Sequence, residues 1–162
     1  MHIDLEAARA HVQRIAPDVN ADFSCVLIAA AVARQIGLKK SDIFVGALWA
    51  PSKFSFDKSP AQAMHGGWGV EFSAGDVEQI YLAEEEIDED GSFNGHTWLA
   101  SGQTIIDPMH DYCGSDGGPL DANGNSTIRY IQRPKLERLV KKYWAPQINA
   151  LLRKKCAASF QS

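Results

Sequence analysis

The chain has 162 residues, 45% hydrophobic and 22% charged, with a formal net charge of −4 and a pI of about 5.7. That is enough for one domain, residues 1–162, with a real core, and the acidic balance excludes the basic face of a nucleic-acid binder. The cationic clusters, Lys141-Lys142 and Arg153-Lys154-Lys155, fall in a helical pattern near the C-terminus, where cations suit the helix dipole. The longest apolar run, Cys25 to Ala33, is far below the roughly 20 residues that span a bilayer, so no membrane partner is expected. The polar opening Met1-His2-Ile3-Asp4-Leu5-Glu6 does not read as a secretory leader, and the expected location is the cytoplasm. Three widely spaced cysteines without a Cys-x-x-Cys pair predict neither a disulfide framework nor a site of paired thiolates.

In chain order, Leu5, Ala8, Val12 and Ile15 recur at helical spacing over residues 4–16, and Pro17 ends the pattern. Residues 18–24 are a polar connection in which Asp22 or Ser24 is placed to cap a second helix. Cys25–Ile36 is almost continuously apolar and alanine-rich, and Gly37 supplies a C-terminal stop. A helix apolar on all sides is a buried one, so Cys25 is expected in the first turn of a central helix. Residues 42–50 predict a buried strand, 51–67 a long loop, 68–72 a short strand, and 77–86 a segment compatible with helix or strand. Two short strands, 95–100 and 103–107, flank a Ser101-Gly102 turn. Residues 113–125, rich in Gly, Asp and Asn, predict a loop, and 126–132 a further strand. Pro134 opens a last helix with Leu136, Leu139, Val140, Tyr143 and Trp144 on one face, broken or kinked at Pro146.

Chemistry enters with Cys25. A cysteine nucleophile reacts as the thiolate, and the start of a helix offers a positive dipole end and N–H groups that favour the anion. The same N–H groups suit the oxyanion that forms when sulfur attacks a carbonyl. Position alone does not separate this reading from a packed core cysteine. His96 and Asp107 add to it, because the two arms of the hairpin place them at the same end. A carboxylate there can accept from one imidazole nitrogen while the other serves a nucleophile, which is the arrangement of a triad. His2, His11 and His65 have no such partner in the sequence pattern.

Cys25 heading an alanine-rich helix that ends Ile36-Gly37-Leu38, followed by the strand Ile43-Phe44-Val45-Gly46, resembles the core of the transglutaminase-like superfamily. His96-Thr97-Trp98 and Ile106-Asp107-Pro108 are similar to its histidine strand and Asp-Pro strand, and the likeness covers roughly residues 20–110. The resemblance implies an α+β, papain-like fold with the cysteine helix packed on an antiparallel sheet and a helix at the C-terminus. It also implies attack on an amide or ester carbonyl through a thioester, with Cys25 as nucleophile, His96 as general base and then acid, and Asp107 as orienter. The superfamily contains protein-crosslinking enzymes, peptidases, deamidases and peptide N-glycanases, and arylamine acetyltransferases share the triad order. The expected partner is therefore a peptide, a protein or a small amide or ester, with no cofactor. Two features depart from the pattern: Val26-Leu27-Ile28 replaces the Arg-Asp that often follows the cysteine, and the hairpin is short.

Around the triad, Asn20 is the candidate second donor to the oxyanion, against a plain turn role. Trp98 and Trp68 are candidate substrate-binding aromatics, with Trp98 equally suited to the core. Phe54, Phe56 and His65 in the long loop are placed to cover a cleft. Two rival readings remain open. His110, Asp111 and Cys113, with His96, are ligand types for zinc without regular spacing. Residues 121–125 superficially resemble a calcium loop, but the sixth position is Ser126 and the closing one Gln132, which favours an Asn-Gly turn. A module that keeps the fold without turnover is the alternative from a different class.

Overall fold

The structure, a computed structural model, describes residues 2–20, 24–49, 79–81, 85–109, 112–114 and 129–153. Asp22, the long loop at 51–67, the strand at 68–72, Trp68, His110, Asp111, the 121–126 segment and Cys156 lie outside the described residues.

Helix α1 (Leu5–Ile15) is capped by Asp4, whose carboxylate accepts from the Ala7 N–H at 2.9 Å. The start of α1 docks on the end of helix α2 (Cys25–Ile36) through a reciprocal pair. Asp4 N–H donates to Gln35 Oε1 at 2.9 Å and Gln35 Nε2 to the Asp4 carbonyl at 2.8 Å. In α2 every residue from Val26 to Ala33 is buried, as the apolar run predicts. Gly37 ends it at φ 78°, with Gly37 N–H on the Arg34 carbonyl and Leu38 N–H on the Ala33 carbonyl, the paired bonds of a Schellman motif. Ser24 occupies the N-cap, but its hydroxyl makes no cap bond; it donates back to the Asn20 carbonyl at 3.1 Å. That choice leaves the first-turn N–H groups of α2 without a side-chain cap.

A 3₁₀ turn (Lys40–Asp42) leads into β1 (Ile43–Trp49), followed by β2 (Gln79–Tyr81), β3 (His96–Ser101), β4 (Thr104–Asp107), β5 (Tyr112–Gly114) and β6 (Arg129–Gln132). The sheet order is β2-β1-β3-β4-β5, β6 also pairs with β1, and every pairing is antiparallel. The fold is mixed α+β. Within the segment left open at 77–86, residues 79–81 are strand. Residues 112–114 are strand as well, against the expected loop from 113: their main chain pairs with β4, Ile106 opposite Cys113 and Asp107 opposite Tyr112. Ladder bonds there outweigh the low strand preference of glycine.

The predicted C-terminal helix is two, α3 (Pro134–Tyr143) and α4 (Ala145–Leu152), with the break at Trp144 and Pro146 in the first turn of α4. Glu137 on α3 accepts the Val45 N–H at 3.0 Å, and Arg133 N–H donates to the Val45 carbonyl at 2.9 Å, which fixes α3 to β1. Leu136, Val140, Ile148 and Leu151 join α1, α2 and one face of the sheet (Ile43, Val45, Leu99, Ile106) in a single core.

The opposite face is aromatic. Residues paired across antiparallel strands share a face, so Phe44 with Trp98, Gly46 with His96 and Leu48 with Tyr130 all lie on it. Gly46 stands between β3 and β6, and a Cβ there would fall on the Ile131 carbonyl oxygen and lie 2.9 Å from the Arg133 nitrogen. Gly37, by contrast, has open space around its absent Cβ and only its positive φ to satisfy. Gly46→Ala is expected to cost about 2–3 kcal/mol through overpacking against backbone, and Gly37→Ala about 1–2 kcal/mol. Urea unfolding of both variants checks the order; a smaller loss at Gly46 would contradict the packing described.

Candidate active site

His96 opens β3 and Asp107 closes β4. The hairpin register, Leu99 opposite Ile106 and Ser101 opposite Thr104, turns on Gly102-Gln103 with Gly102 at φ 61°. Extending that register sets Asp107 opposite Trp98, one diagonal step from His96 and on the same face. Both side chains are fully buried, and His96 Nε2 lies 2.7 Å from Asp107 Oδ2. With Asp107 ionised the carboxylate can only accept, and Nε2 then carries the shared proton and Nδ1 is the accepting ring nitrogen.

Further donors reach Asp107. Met109 N–H reaches Oδ1 at 3.0 Å, a local turn bond across Pro108, and the Tyr130 hydroxyl reaches Oδ2 at 2.8 Å. Tyr130, buried on β6, is a site residue that sequence reasoning misses: nothing in a four-residue strand 23 positions downstream signals a contact with Asp107. Trp98 is 3% exposed and sits in an aromatic stack, 6.3 Å from Phe44 and 6.4 Å from His96 between ring centroids, with Tyr130 tilted against it at 5.3 Å. It lies beside the imidazole and also lines a second cavity with Phe44 and Tyr130.

Cys25 is half-buried at the head of α2. The helical ladder begins with Leu27 and Ile28 N–H groups on the Ser24 carbonyl, so the N–H groups of Cys25 and Val26 lie ahead of it. A cleft of about 320 Å³ opens over this turn, lined by Asn20, Ser24, Cys25, Val26 and, from the other side, residues 90–93 and Gly95. Gly95, the residue directly before His96, lines the cleft together with Cys25, while His96 and Asp107 are buried behind it. Asn20, exposed, lies on the same wall as Cys25.

The opposite wall is held from the C-terminal helices. Trp144 Nε1 donates to the Gly91 carbonyl at 3.0 Å, Tyr143 donates through its hydroxyl to the Glu89 carbonyl at 3.1 Å, and the two rings pack edge to face at 4.9 Å. Gly91 sits at φ 83°, and a Cβ on it would run into the Tyr143 and Trp144 rings. Asp90 is held below the usual carboxylate range by the Ser92 hydroxyl and backbone N–H, so this wall is charged at neutral pH.

Burial pushes the Cys25 thiol up to about 12; the Asp107 charge acts in the same direction, and the residue's own backbone N–H opposes both. At neutral pH the Cys25 side chain therefore rests as the thiol. The Asp107 contribution also places that carboxylate within electrostatic reach of the sulfur. Cys113 is exposed on β5, away from this wall. Among the described residues no three or more His, Cys, Asp or Glu side chains gather as a metal site, and no helix is long and apolar enough to cross a membrane.

No protein-family model, curated protein or solved structure matches the chain. The site therefore has to be read from its own geometry.

The raised thiol sets a pH signature. Alkylation of Cys25 by iodoacetamide needs thiolate, so its rate should climb without levelling over roughly pH 7 to 10. A plateau reached below about pH 8 would show a preformed thiolate–imidazolium pair instead.

Proposed function

We propose that the chain is a cysteine-nucleophile enzyme that acts on an amide or ester carbonyl through a thioester, on a transglutaminase-like, papain-like core. The observation that carries the reading is the buried 2.7 Å His96–Asp107 pair beside a cleft into which the head of α2 presents Cys25. A buried His–Asp pair is costly to assemble, and service as base and orienter to a nearby nucleophile would give it chemical work. The order of Cys25, His96 and Asp107 along helix, strand and strand, and the likeness of their flanking residues to the transglutaminase-like superfamily, agree with it.

In this mechanism His96 Nδ1 takes the thiol proton as Sγ attacks the carbonyl carbon, and the imidazolium is stabilised by Asp107. Because the thiol rests protonated, proton transfer accompanies attack and does not precede it. The oxyanion forms at the first turn of α2, where the Cys25 and Val26 N–H groups and the dipole favour negative charge; Asn20 adds a donor from the same wall. His96 then returns the proton to the leaving amine or alkoxide, and an acyl acceptor, water in a hydrolase or an amine in a transferase, resolves the thioester.

A second reading has one observation in its favour. A thiol pushed up to about 12 is a poor nucleophile on its own, which suits a module that keeps the fold and binds without turnover. Acylation separates the two. With an activated aryl ester at neutral pH, mass spectrometry should find the acyl group on Cys25 well ahead of Cys113. His96→Ala should slow that step by about 10²- to 10⁴-fold, the usual range for loss of a general base. Equal acylation of Cys25 and Cys113, unaffected by His96→Ala, would leave only the binding module.

A further inference from the structure

We propose that Tyr130 is a positioning residue: its hydroxyl holds the Asp107 carboxylate ionised and turned so that His96 keeps its proton on Nε2 and its basic lone pair on Nδ1. The functional meaning of this role rests on the cysteine-enzyme reading above; the contact itself does not.

A carboxylate with no exposed surface, on an aromatic sheet face, stays ionised only if donors replace its water. Asp107 has Met109 N–H on Oδ1, and on Oδ2 both His96 Nε2 and the Tyr130 hydroxyl, at 2.7 and 2.8 Å. The Met109 bond is local and belongs to the turn. Tyr130 is different in origin: β6 lies across β1 from the hairpin, where Tyr130 is paired with Leu48, and its hydroxyl reaches Asp107 from that strand. The Tyr130 ring also lies 6.3 Å from the His96 ring and 5.3 Å from Trp98, so ring and hydroxyl act on the same pair.

The consequence is a proton location. If Asp107 loses the Tyr130 donor, the carboxylate is less well solvated and holds the His96 proton more tightly. It can also take a proton itself. A carboxyl group on Oδ2 would donate to Nε2, moving the ring proton to Nδ1, and His96 could then no longer accept from Cys25. The titratable groups that reach Asp107 include His96 on β3, Tyr130 on β6 and Cys25 on α2, and Tyr112 on β5 is paired opposite it. Both effects act in one direction: the working tautomer is lost at a higher pH without the hydroxyl.

Tyr130→Phe keeps the ring and its stacking and removes only the donor. Nitrogen-detected NMR of the His96 ring should show Nε2 protonated in the parent protein. In Tyr130→Phe its titration should move up by roughly one to two pH units, the scale of one hydrogen bond to an ionised group. Aryl-ester acylation of Cys25 should fall about tenfold near neutrality and recover as pH rises. Thermal melting of both proteins, with matching near-UV spectra, confirms that the variant is folded. An unchanged His96 tautomer and titration would overturn the proposal, as would a rate loss of equal size at every pH. Because the NMR readout needs no turnover, a Cys25 that never acylates would defeat the enzyme reading while leaving the Tyr130 role decided on its own.

Discussion

Asp107 carries a charge into a part of the molecule with no water, and the surrounding architecture is arranged around that demand. Its donors come from a hairpin partner, a turn N–H and a distant strand. Each donor requires a backbone element to be where it is: β3 and β4 in register about Gly102-Gln103, Pro108 directing the chain back, and β6 paired with the second half of β1. A surface carboxylate imposes nothing of the kind, since water meets its needs. Here desolvation converts a single side chain into a constraint on four strands.

The helix layer answers a second constraint, the presentation of a cysteine at the end of a helix that has no polar face. With Val26 through Ala33 buried, α2 cannot rotate or slide without exposing apolar surface, so the placement of its first turn is set by packing along its whole length. The Schellman stop at Gly37 and the Asp4–Gln35 pair fix its other end. The same burial that positions Cys25 raises its thiol. Positional precision and intrinsic reactivity oppose each other at this residue, and in the proposed mechanism the histidine pair is what reconciles them.

Much of this is legible in the sequence because it rests on local signals. The all-apolar stretch after Cys25 specifies a buried helix, Gly37 its end, and the two short strands about Gly102 a hairpin whose ends bring His96 and Asp107 together. Features without a local signal depend on contacts between distant segments. Residues 112–114 look like loop until β4 offers them a ladder, and the break at Trp144 comes a residue and more ahead of the proline that signals it. Tyr130 is one aromatic residue in a short strand, and only the path of β6 beside β1 gives its hydroxyl a partner. Ser24 sits where a capping side chain belongs, yet its bond to Asn20 turns on a polar connection with no periodicity to interpret.

The clasp between the C-terminal helices and residues 89–91 has an optical corollary. The indole of Trp144 lines the cleft while its N–H is fixed on the Gly91 carbonyl. Indole emission responds to the polarity and hydrogen bonding around the ring, so the cleft has a fluorophore built into its wall. A molecule entering beside Cys25 would change that ring's surroundings, and occupancy is expected to register in the Trp144 share of the emission, without label or turnover.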